Sequence, residues 1–466
     1  MYIQQLYTGC LAEAAYYIES NGEAAIIDPL RETEPYIELA RQRNAKIKYV
    51  FETHFHADFV SGHIDLARKT NSTIVYGPTA APEYKAHIAK DNEEFTLGDI
   101  TIKVLHTPGH TQESSSYLLL DEDKNPHAVF TGDTLFVGDV GRPDLAVKSD
   151  LTQDDLAGML YESLNNKIKT LPDQTIVYPA HGAGSSCGKN IGKETFSTIG
   201  HQKKFNYALQ PMSKEDFIKA VTEGLSAPPK YFFHDAAINK KGYENIDEVI
   251  KKNSIALSVE EFENKMKIEN IVVLDTRNPD DFEKGFIPGA INIGLNGQYG
   301  PWVGALLNPN NPLLIVSDEG NEKEAVLRLA RVGYENVTGY LKDGIKAWIS
   351  AGKNMDTVKS IDAKEFVNNL EKGEAVLDVR KPGEQSSGVI PGAELIDLTV
   401  LNENLDKLNK QTHYNVHCAG GYRSMIAVSL MKAKGFKKLT NVLGGMGKIK
   451  ETGTKLAVPT EKTCLS

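Results

Sequence analysis

Histidines and acidic residues of the kind that bind metal ions are concentrated in one short stretch of the sequence. His54, His56 and Asp58 alternate within the segment 53–59. Alternate side chains of an extended loop can turn toward one point, and imidazole and carboxylate groups are the usual ligands of borderline and hard metal ions. Residues of the same types recur later at three positions: His110, Asp133 and His181. The pattern therefore predicts a metal site.

A second candidate site is a cysteine in a glycine-rich loop. Cys418 is followed closely by Gly420, Gly421 and Arg423. The N–H groups of such a loop can point at the sulfur, the N-terminus of a following helix adds positive potential, and an arginine adds a full charge. These features favour the nucleophilic thiolate. A buried structural cysteine is the alternative, and the two glycines and the arginine favour the reactive interpretation.

The candidate metal ligands each follow a strand-like run of residues. The runs cover residues 47–51, 100–105, 127–130 and 175–178, and they precede four ligand-type residues in turn: His54, His110, Asp133 and His181. One histidine in a polar loop is ordinary, whereas four such residues at four strand ends favour a metal site. Asn21-Gly22 between two β-prone runs predicts a tight hairpin, and residues 34–43 predict a helix.

The second half of the sequence contains an internal repeat. The segment 274–279 returns as 377–382, and the segment 285–290 returns as 388–393, with the same offset in both cases. Apolar strands alternate with amphipathic helices in each copy, which predicts two small parallel α/β domains.

The loop of the first copy that corresponds to the Cys418 loop lacks a cysteine. Asp318 stands in its place, and Glu322 and Glu324 follow. Carboxylates oppose the binding of an anionic sulfur donor in a loop of this kind. We therefore expect the first copy to be inactive in sulfur transfer and to have a packing or interface role.

Composition limits the class of protein. The chain has 466 residues, of which 41% are hydrophobic and 24% charged, and its net charge is −10. These values predict a soluble globular protein of about three domains without bulk attraction to nucleic acid or anionic membranes. Four widely separated cysteines fit a reducing compartment, and no signal peptide or membrane span is recognised. We expect a cytoplasmic homo-oligomer.

The metal-type residues resemble the motif of the metallo-β-lactamase superfamily, in which His-x-His-x-Asp-His precedes a lone histidine, a bridging aspartate and a last histidine. Phe59 stands at the sixth position of that motif. In the family that residue is a ligand of a second metal, and phenylalanine cannot ligate, so the resemblance favours one metal. It implies an αββα sandwich, which we expect over residues 1–245.

The repeat resembles rhodanese domains, whose hallmarks are the Leu-Asp-x-Arg-x-Pro and Ile-Pro-Gly-Ala segments, and we expect them over residues 257–355 and 358–457. The loop after Cys418 resembles the rhodanese active-site loop, in which the cysteine carries a persulfide. As a whole the chain is similar to bacterial persulfide dioxygenase–rhodanese fusions of sulfide detoxification. That resemblance implies one Fe(II) per chain.

The same resemblance assigns roles to the metal-type residues. The implied iron ligands are His54, His110 and Asp133, and the surrounding residues that orient them are His56, Asp58 and His181. The residue types alone leave zinc and iron open, because three histidines suit zinc, whereas two histidines and a carboxylate suit non-haem Fe(II).

The implied reaction oxidises a small-molecule thiol persulfide with O2 to sulfite, after which Cys418 adds a persulfide sulfur to give thiosulfate. Arg142 and Asp144 match a segment that holds glutathione in related enzymes, but the tyrosine expected after the last histidine is absent near Gly182. The thiol therefore stays open between glutathione, coenzyme A and others, and a local ion pair is the alternative for Arg142 and Asp144. Cys187 is expected to be a plain buried cysteine, with a persulfide relay as its alternative.

Two other functions compete with this one. The first is a zinc thioester hydrolase of the glyoxalase II kind, whose rhodanese domains bind a partner or sense sulfur. The second is a sulfur-carrier scaffold without enzymatic activity. Phe59 argues against the hydrolase, and the intact set of His54, His110 and Asp133 argues against the scaffold.

Overall fold

The computed structural model describes residues 1–147, 151–225 and 227–458. Clustering of contacts divides the chain into two compact units. The first contains Met1–Val249 and Ala330–Gly333, and the second contains Ile250–Leu329 and the chain from Tyr334 onwards. Cys464 lies outside the described residues.

The first unit contains two β-sheets, each with six strands within the described ranges. In both sheets the strands lie side by side in chain order. The first sheet consists of β1 (Tyr2–Thr8), β2 (Glu13–Ser20), β3 (Glu23–Ile27), β4 (Lys46–Glu52), β5 (Thr73–Tyr76) and β6 (His87–Ile88). The second consists of β7 (Glu94–Leu97), β8 (Ile100–His106), β9 (Ser115–Leu120), β10 (Pro126–Gly132), β11 (Ile176–Pro179) and β12 (Ser197–Thr198).

The hairpin expected at Asn21-Gly22 is confirmed. Strands β2 and β3 pair antiparallel up to Ser20 and Glu23. Asn21 and Gly22 both have positive φ values, 47° and 76°. A two-residue turn with two left-handed residues has the twist that joins neighbouring antiparallel strands, which explains the Asn-Gly sequence.

Side-chain alternation along the strands builds the layers of this unit. Tyr16 and Ile18 of β2 join residues of both sheets in one buried cluster, so the sheets pack face to face. Tyr17, between them in sequence, packs in a different cluster together with Tyr36 and Leu66 of helices on the outer face. Because successive side chains of a strand point to opposite faces, each sheet has one face on the central core and one face on a helical layer.

The described helices of the chain up to residue 253 are α1 (Glu34–Gln42), α2 (His63–Thr70), α3 (Gln153–Ser163), α4 (Ile199–Phe205), α5 (Lys214–Thr222), α6 (Phe232–Lys241) and α7 (Ile246–Asn253). Among them, helices α1 to α5 supply residues to the buried clusters on the outer faces. Helices α3 and α5 cover the outer face of the second sheet through Leu160 and Phe217. The expected αββα sandwich is confirmed. Of all helices described, none combines the length and apolar character needed to cross a membrane.

The second unit contains two five-stranded sheets within the described residues, and all their strand pairs are parallel. The first has the order β13 (Ala256–Leu257), β17 (Val337–Leu341), β16 (Leu313–Val316), β14 (Val272–Asp275), β15 (Ile291–Asn292). The second has the order β18 (Lys359–Ile361), β22 (Leu439–Val442), β21 (Tyr414–His417), β19 (Ala375–Asp378), β20 (Glu394–Leu395). The two sheets have the same topology, as the sequence repeat predicts.

Ten α-helices accompany these sheets in the part of the chain that the structure describes. Those of the first copy are α8 (Val259–Lys265), α9 (Pro279–Phe282), α10 (Tyr299–Leu306), α11 (Glu322–Ala330) and α12 (Gly344–Ser350). Those of the second copy are α13 (Ala363–Glu371), α14 (Pro382–Gln385), α15 (Leu401–Asn404), α16 (Tyr422–Ala433) and α17 (Gly445–Glu451).

The repeated sequence motifs have a structural cause. In the first copy, Arg277 is buried and bonds Asp275, with a shortest distance of 2.6 Å, and it also donates to the Gly285 carbonyl at 2.9 Å. Arg380 makes the same contacts to Asp378 and Gly388, at 2.6 and 2.8 Å. A buried arginine must have its donors satisfied, so one side chain ties the two halves of the motif together in each copy.

Candidate functional site

The candidate metal ligands converge at the ends of strands from both sheets of the first unit. His54 follows β4, His110 follows β8 and Asp133 follows β10. Ligand atoms of these three buried residues all lie within 4.8 Å of one another. The convergence predicted from four strand ends is therefore present in the structure for this group.

The hydrogen bonds of the two histidines leave one ring nitrogen of each facing the shared space. Thr53 donates its hydroxyl proton to Asp28, so the Nδ1 of His54, 3.0 Å from the Thr53 hydroxyl, must be the donor. His110 donates from Nδ1 to the Arg142 carbonyl at 2.9 Å. The Nε2 atoms are thereby left facing the shared space, and Nε2 of a neutral imidazole is a metal ligand.

Asp133 is the third member of this group, and its carboxylate receives no hydrogen bond from the described residues. Its Oδ2 atom lies 3.3 Å from His110 Nε2 and 3.9 Å from His54 Nε2. Both of its carboxylate oxygens are buried without a hydrogen-bond partner among the described residues. Burial and the neighbouring His56 and His110 hold the pKa of His54 well below its usual value. Two imidazoles with free Nε2 positions and a carboxylate without a hydrogen-bond partner match the donor set of a divalent cation.

A second group lies beside the first. His56, Asp58 and His181 also bring ligand atoms within 4.8 Å of one another. His181 Nε2 lies 3.3 Å from Asp58 and 3.5 Å from Asp133, and its Nδ1 donates to the Ala12 carbonyl at 3.1 Å. These contacts place the three residues assigned to the surroundings of the metal next to Asp133.

His56 also contacts a buried carboxylate outside this group. Its Nε2 atom lies 3.1 Å from Asp28 Oδ1. Although burial opposes protonation, the Asp28 charge raises the pKa of His56 to about 10. The ring of Phe59, which is fully buried, packs against the His56 ring with a centroid distance of 4.4 Å. Phe59 supplies no ligand atom beside His56, whereas Asp28, Glu52 and His56 bring ligand atoms within 4.8 Å of one another.

The loop that carries His56 and Phe59 is held by a residue that the sequence did not single out. Asn239, on α6, donates to the main-chain carbonyls of both residues, at 2.7 and 2.8 Å. Its own side-chain oxygen accepts from the Ser61 N–H at 2.9 Å. Asn239 is buried. No local signal could have found it, because its partners lie about 180 positions earlier in the chain.

Two further buried groups lie at the site: Cys187, which the sequence predicted to be a plain buried cysteine, and Glu13, which the sequence analysis did not consider. Cys187 brings its sulfur within 4.8 Å of Asp133 and His181 ligand atoms, and burial with the nearby Asp58 charge raises its pKa well above the usual value. Glu13 is also fully buried, and burial raises its pKa. Burial therefore favours the protonated form of both groups.

Arg142 and Asp144 form a bidentate pair, with both N–O distances at 2.6 Å. Arg142 is buried, its carbonyl accepts from His110, and its main-chain N–H donates to the Cys187 carbonyl at 3.0 Å. At the preceding Gly141, an added Cβ would lie 1.9 Å from the Asp133 carbonyl, so only glycine allows this close approach. These contacts support a structural role for Arg142 beside His110. A role in holding the thiol stays a prediction.

In the second unit, Cys418 follows β21 and α16 begins four residues later. The Gly421 N–H donates to the Cys418 sulfur at 3.1 Å, and the Ser424 hydroxyl lies 3.7 Å from it. Gly421 has a φ of +106°, which glycine adopts readily. Gly420 makes no close approach to other atoms at its Cβ position.

Arg423 is placed differently from the sequence-based expectation of a free positive charge. Its guanidinium makes two 2.6 Å contacts to the Glu384 carboxylate on α14. The positive charge beside Cys418 is therefore largely compensated by a neighbouring negative charge. The start of α16 and the Gly421 N–H are left as the groups that can stabilise a sulfur anion at Cys418, whose side chain is buried.

In the equivalent loop of the first copy, a carboxylate just after the loop accepts a hydrogen bond from a loop N–H group. Asp318 is exposed, and the Gly320 N–H donates to Glu322 at 3.0 Å. The Glu322 carboxylate thus accepts from an N–H group that could otherwise donate to an anionic sulfur.

Comparison with known proteins gives the family of each part of the chain. A model of the metallo-beta-lactamase superfamily matches residues 8–181, and a model of the rhodanese-like domain matches residues 258–351 and 362–452. A metallo-beta-lactamase of known structure from Staphylococcus aureus is 33% identical, with a TM-score of 0.64, over 73% of this chain and 98% of that one. The chain belongs to the metallo-beta-lactamase superfamily and carries two rhodanese-like domains.

Relatives with different activities match the first unit almost equally well. A probable hydroxyacylglutathione hydrolase, glo2, of Schizosaccharomyces pombe is 34% identical over 39% of this chain and 75% of that protein. The human mitochondrial persulfide dioxygenase ETHE1 is 30% identical over 42% of this chain and 70% of that protein. The family and its enzymatic character are therefore established by similarity, and identity alone does not choose between these two reactions.

Proposed function

We propose that this chain is a non-haem iron persulfide dioxygenase coupled to rhodanese sulfur transfer. One observation carries the proposal: His54, His110 and Asp133 bring two imidazoles and one carboxylate to a shared space, while Asp28 and Phe59 both contact the neighbouring His56. Two histidines and a carboxylate with open positions are typical of non-haem Fe(II) oxygenases. The presence of rhodanese-like domains with Cys418 supports sulfur chemistry.

The overall reaction is R-S-SH + O2 + H2O → R-SH + sulfite + 2 H+. When bound, iron supplies the activation of O2 and a coordination position for the persulfide sulfur. His54, His110 and Asp133 would hold it, and Thr53 and the Arg142 carbonyl fix the orientation of the two rings. Holding the reactants side by side supplies the proximity part of catalysis.

Cys418 carries the second half of the proposed chemistry. A persulfide on Cys418 transfers its outer sulfur to sulfite, so that Cys-S-SH and sulfite become Cys-SH and thiosulfate. The Gly421 N–H and the α16 N-terminus stabilise the sulfur anion that leaves this exchange. We assign the dioxygenase to residues 1–245, an inactive rhodanese-like domain to 257–355 and an active one to 358–457, with a role in sulfide detoxification.

Metal content and oxygen uptake test the dioxygenase. Protein made anaerobically is expected to contain one iron per chain and to consume oxygen with a thiol persulfide. His110→Ala should lose iron and oxygen uptake together, because a ligand is removed. His87→Ala is the matched control, since His87 is a half-exposed residue of the same unit paired with Glu93. Comparing glutathione persulfide with coenzyme A persulfide identifies the thiol.

A zinc-dependent thioester hydrolase is the second candidate function. It is favoured by the proximity of His56, Asp58 and His181, which could hold a second metal, and by the similarity to a hydroxyacylglutathione hydrolase. The same protein preparation decides between the two. Two zinc ions per chain, hydrolysis of a hydroxyacyl-glutathione thioester and no oxygen uptake would establish the hydrolase and reject the dioxygenase.

A further inference from the structure

The two rhodanese-like copies touch at the cysteine loop of the second copy. Tyr422 is the first residue of α16 and lies four positions after Cys418. Its hydroxyl donates to the carbonyl of Gly294, in the first copy, at 2.8 Å. The main-chain N–H of Asn292 also donates to the Ser429 hydroxyl of α16, at 3.0 Å. The helix that follows Cys418 is therefore bonded at two points to the copy that lacks a cysteine.

The acceptor of the Tyr422 bond belongs to a loop with its own internal support. We call residues 294–297 the anchor loop. Arg328 is buried and donates to the carbonyls of Leu295 and Gly297, at 2.7 and 3.1 Å. Leu295 also donates its N–H to the Thr276 carbonyl at 3.0 Å. Because three hydrogen bonds hold these few residues, the Gly294 carbonyl has a defined position.

The ring of Tyr422 fills the space above this loop. A Cβ atom added at Gly297 would lie 2.5 Å from Cζ and 2.9 Å from the hydroxyl oxygen of Tyr422. Real Cβ atoms do not approach so closely, so a glycine at 297 is required for the ring to lie where it does. A side chain of one copy thus fits into space that a glycine of the other copy leaves open.

The position of Tyr422 bears directly on the sulfur atom. Tyr422 follows Gly421, whose N–H donates to the Cys418 sulfur. Any rotation of the first turn of α16 moves both this N–H group and the end of the helix relative to the sulfur. The strength of the hydrogen bond from the N–H group, and of the attraction between the helix end and a sulfur anion, depends on that geometry.

We propose that the cysteine-less rhodanese-like copy positions the sulfur-carrying loop of the other copy, with Gly294, Gly297, Arg328 and Tyr422 as positioning residues. The inference rests on the proposed role of Cys418 as the persulfide carrier. It gives the first copy a specific structural role, because its anchor loop fixes the start of α16, and the start of α16 fixes the Gly421 N–H on the sulfur.

Two substitutions in the full-length protein test this from the two sides of the contact. Tyr422→Phe removes only the hydroxyl, and Gly297→Ala adds a methyl group that pushes on the ring from the other copy. We expect both to slow alkylation of Cys418 by iodoacetamide at neutral pH by about three- to tenfold, the range that loss of one hydrogen bond produces. Mass spectrometry of the Cys418 peptide gives the rate at that residue alone.

The pH profile separates positioning from a general structural effect. Neither substitution changes the formal charge at neutral pH of the groups around Cys418, which include Arg423, Glu384, Asp397, His417, Asp378 and Arg380. We therefore expect the alkylation midpoint to rise by about half a pH unit in both variants. In thiocyanate formation from thiosulfate and cyanide, kcat should fall more than KM rises.

Tyr340→Phe is the matched control, since Tyr340 lies on β17 of the same unit and its hydroxyl makes no hydrogen bond to the residues described. It should leave the profile unchanged. Wild-type rates and midpoints in both Tyr422→Phe and Gly297→Ala would overturn the proposal. If the wild-type protein forms no thiocyanate, the proposed role of Cys418 fails, whereas a shifted alkylation midpoint in the variants still supports the positioning contact.

Discussion

At the scale of single residues, the reactivity of Cys418 depends on how much of the Arg423 charge acts on its sulfur. Arg423 lies near the sulfur, yet both its outer nitrogen atoms are bonded to Glu384. The contact with Arg423 lowers the pKa of Glu384, so the carboxylate stays ionised throughout the range in which a thiol titrates. Arg423 and Glu384 therefore remain an ion pair at every pH at which the Cys418 thiol titrates.

Glu384→Gln should make Cys418 more reactive. The substitution keeps a hydrogen-bond acceptor and removes the negative charge, so the full charge of Arg423 acts on the sulfur. We expect the midpoint of Cys418 alkylation to fall by about half a pH unit or more. Glu365→Gln, at an exposed glutamate of the same copy that pairs with Lys359, is the control. An unchanged or higher midpoint would mean that Arg423 does not act on the thiolate.

The sequence singled out the metal-type residues that lie together in the structure, but not the residues that support them. His54, His110 and Asp133 could be found because each follows a strand end, which is a local pattern. Asn239 and Asp28 could not, because their contacts to the His56 loop depend on chain segments that meet only in the folded protein. The ion pair of Arg423 was missed for the same reason, since Glu384 lies 39 positions away.

At the scale of elements, the sequence predicts the repeat but does not predict the order of the strands in each sheet. A constant offset between two motifs is enough to predict two similar domains. The order β13-β17-β16-β14-β15 depends on which crossovers form, and sequence pattern alone does not give that order. The buried Arg277 and Arg380 pairs explain why the motifs persist in both copies although only one copy retains a cysteine.

The loop between β16 and α11 should not support sulfur transfer even when it is given a cysteine. We consider Asp318→Cys in a full-length Cys418→Ser background. Glu322 accepts from the Gly320 N–H, and its charge together with that of Glu324 opposes an anionic donor. Thiocyanate formation from thiosulfate and cyanide is expected to stay at the Cys418→Ser background. Activity above that background would show that the cysteine alone was missing.

At the scale of the whole molecule, the chain carries two chemical centres in two separate compact units. The metal-type residues lie in the first unit, and Cys418 lies in the second, 285 positions after Asp133. Substitutions at sites that share no partners usually have independent effects. This separation allows the two proposed half-reactions to be tested in one protein.

Cys418→Ser should separate sulfite formation from thiosulfate formation. The substitution replaces one sulfur atom in the second unit, so iron content is expected to match that of the wild type and oxygen uptake to stay within about twofold of it. Without a persulfide on Cys418, sulfite has no protein-bound sulfur to accept and should accumulate in place of thiosulfate. Chromatography of thiol-labelled products, with Cys10→Ser as the matched control at a partly buried cysteine of the first unit, measures both species. If the variant keeps its iron and stops consuming oxygen, then Cys418 delivers sulfur to the metal centre, and the order of the two steps is the reverse of the one proposed.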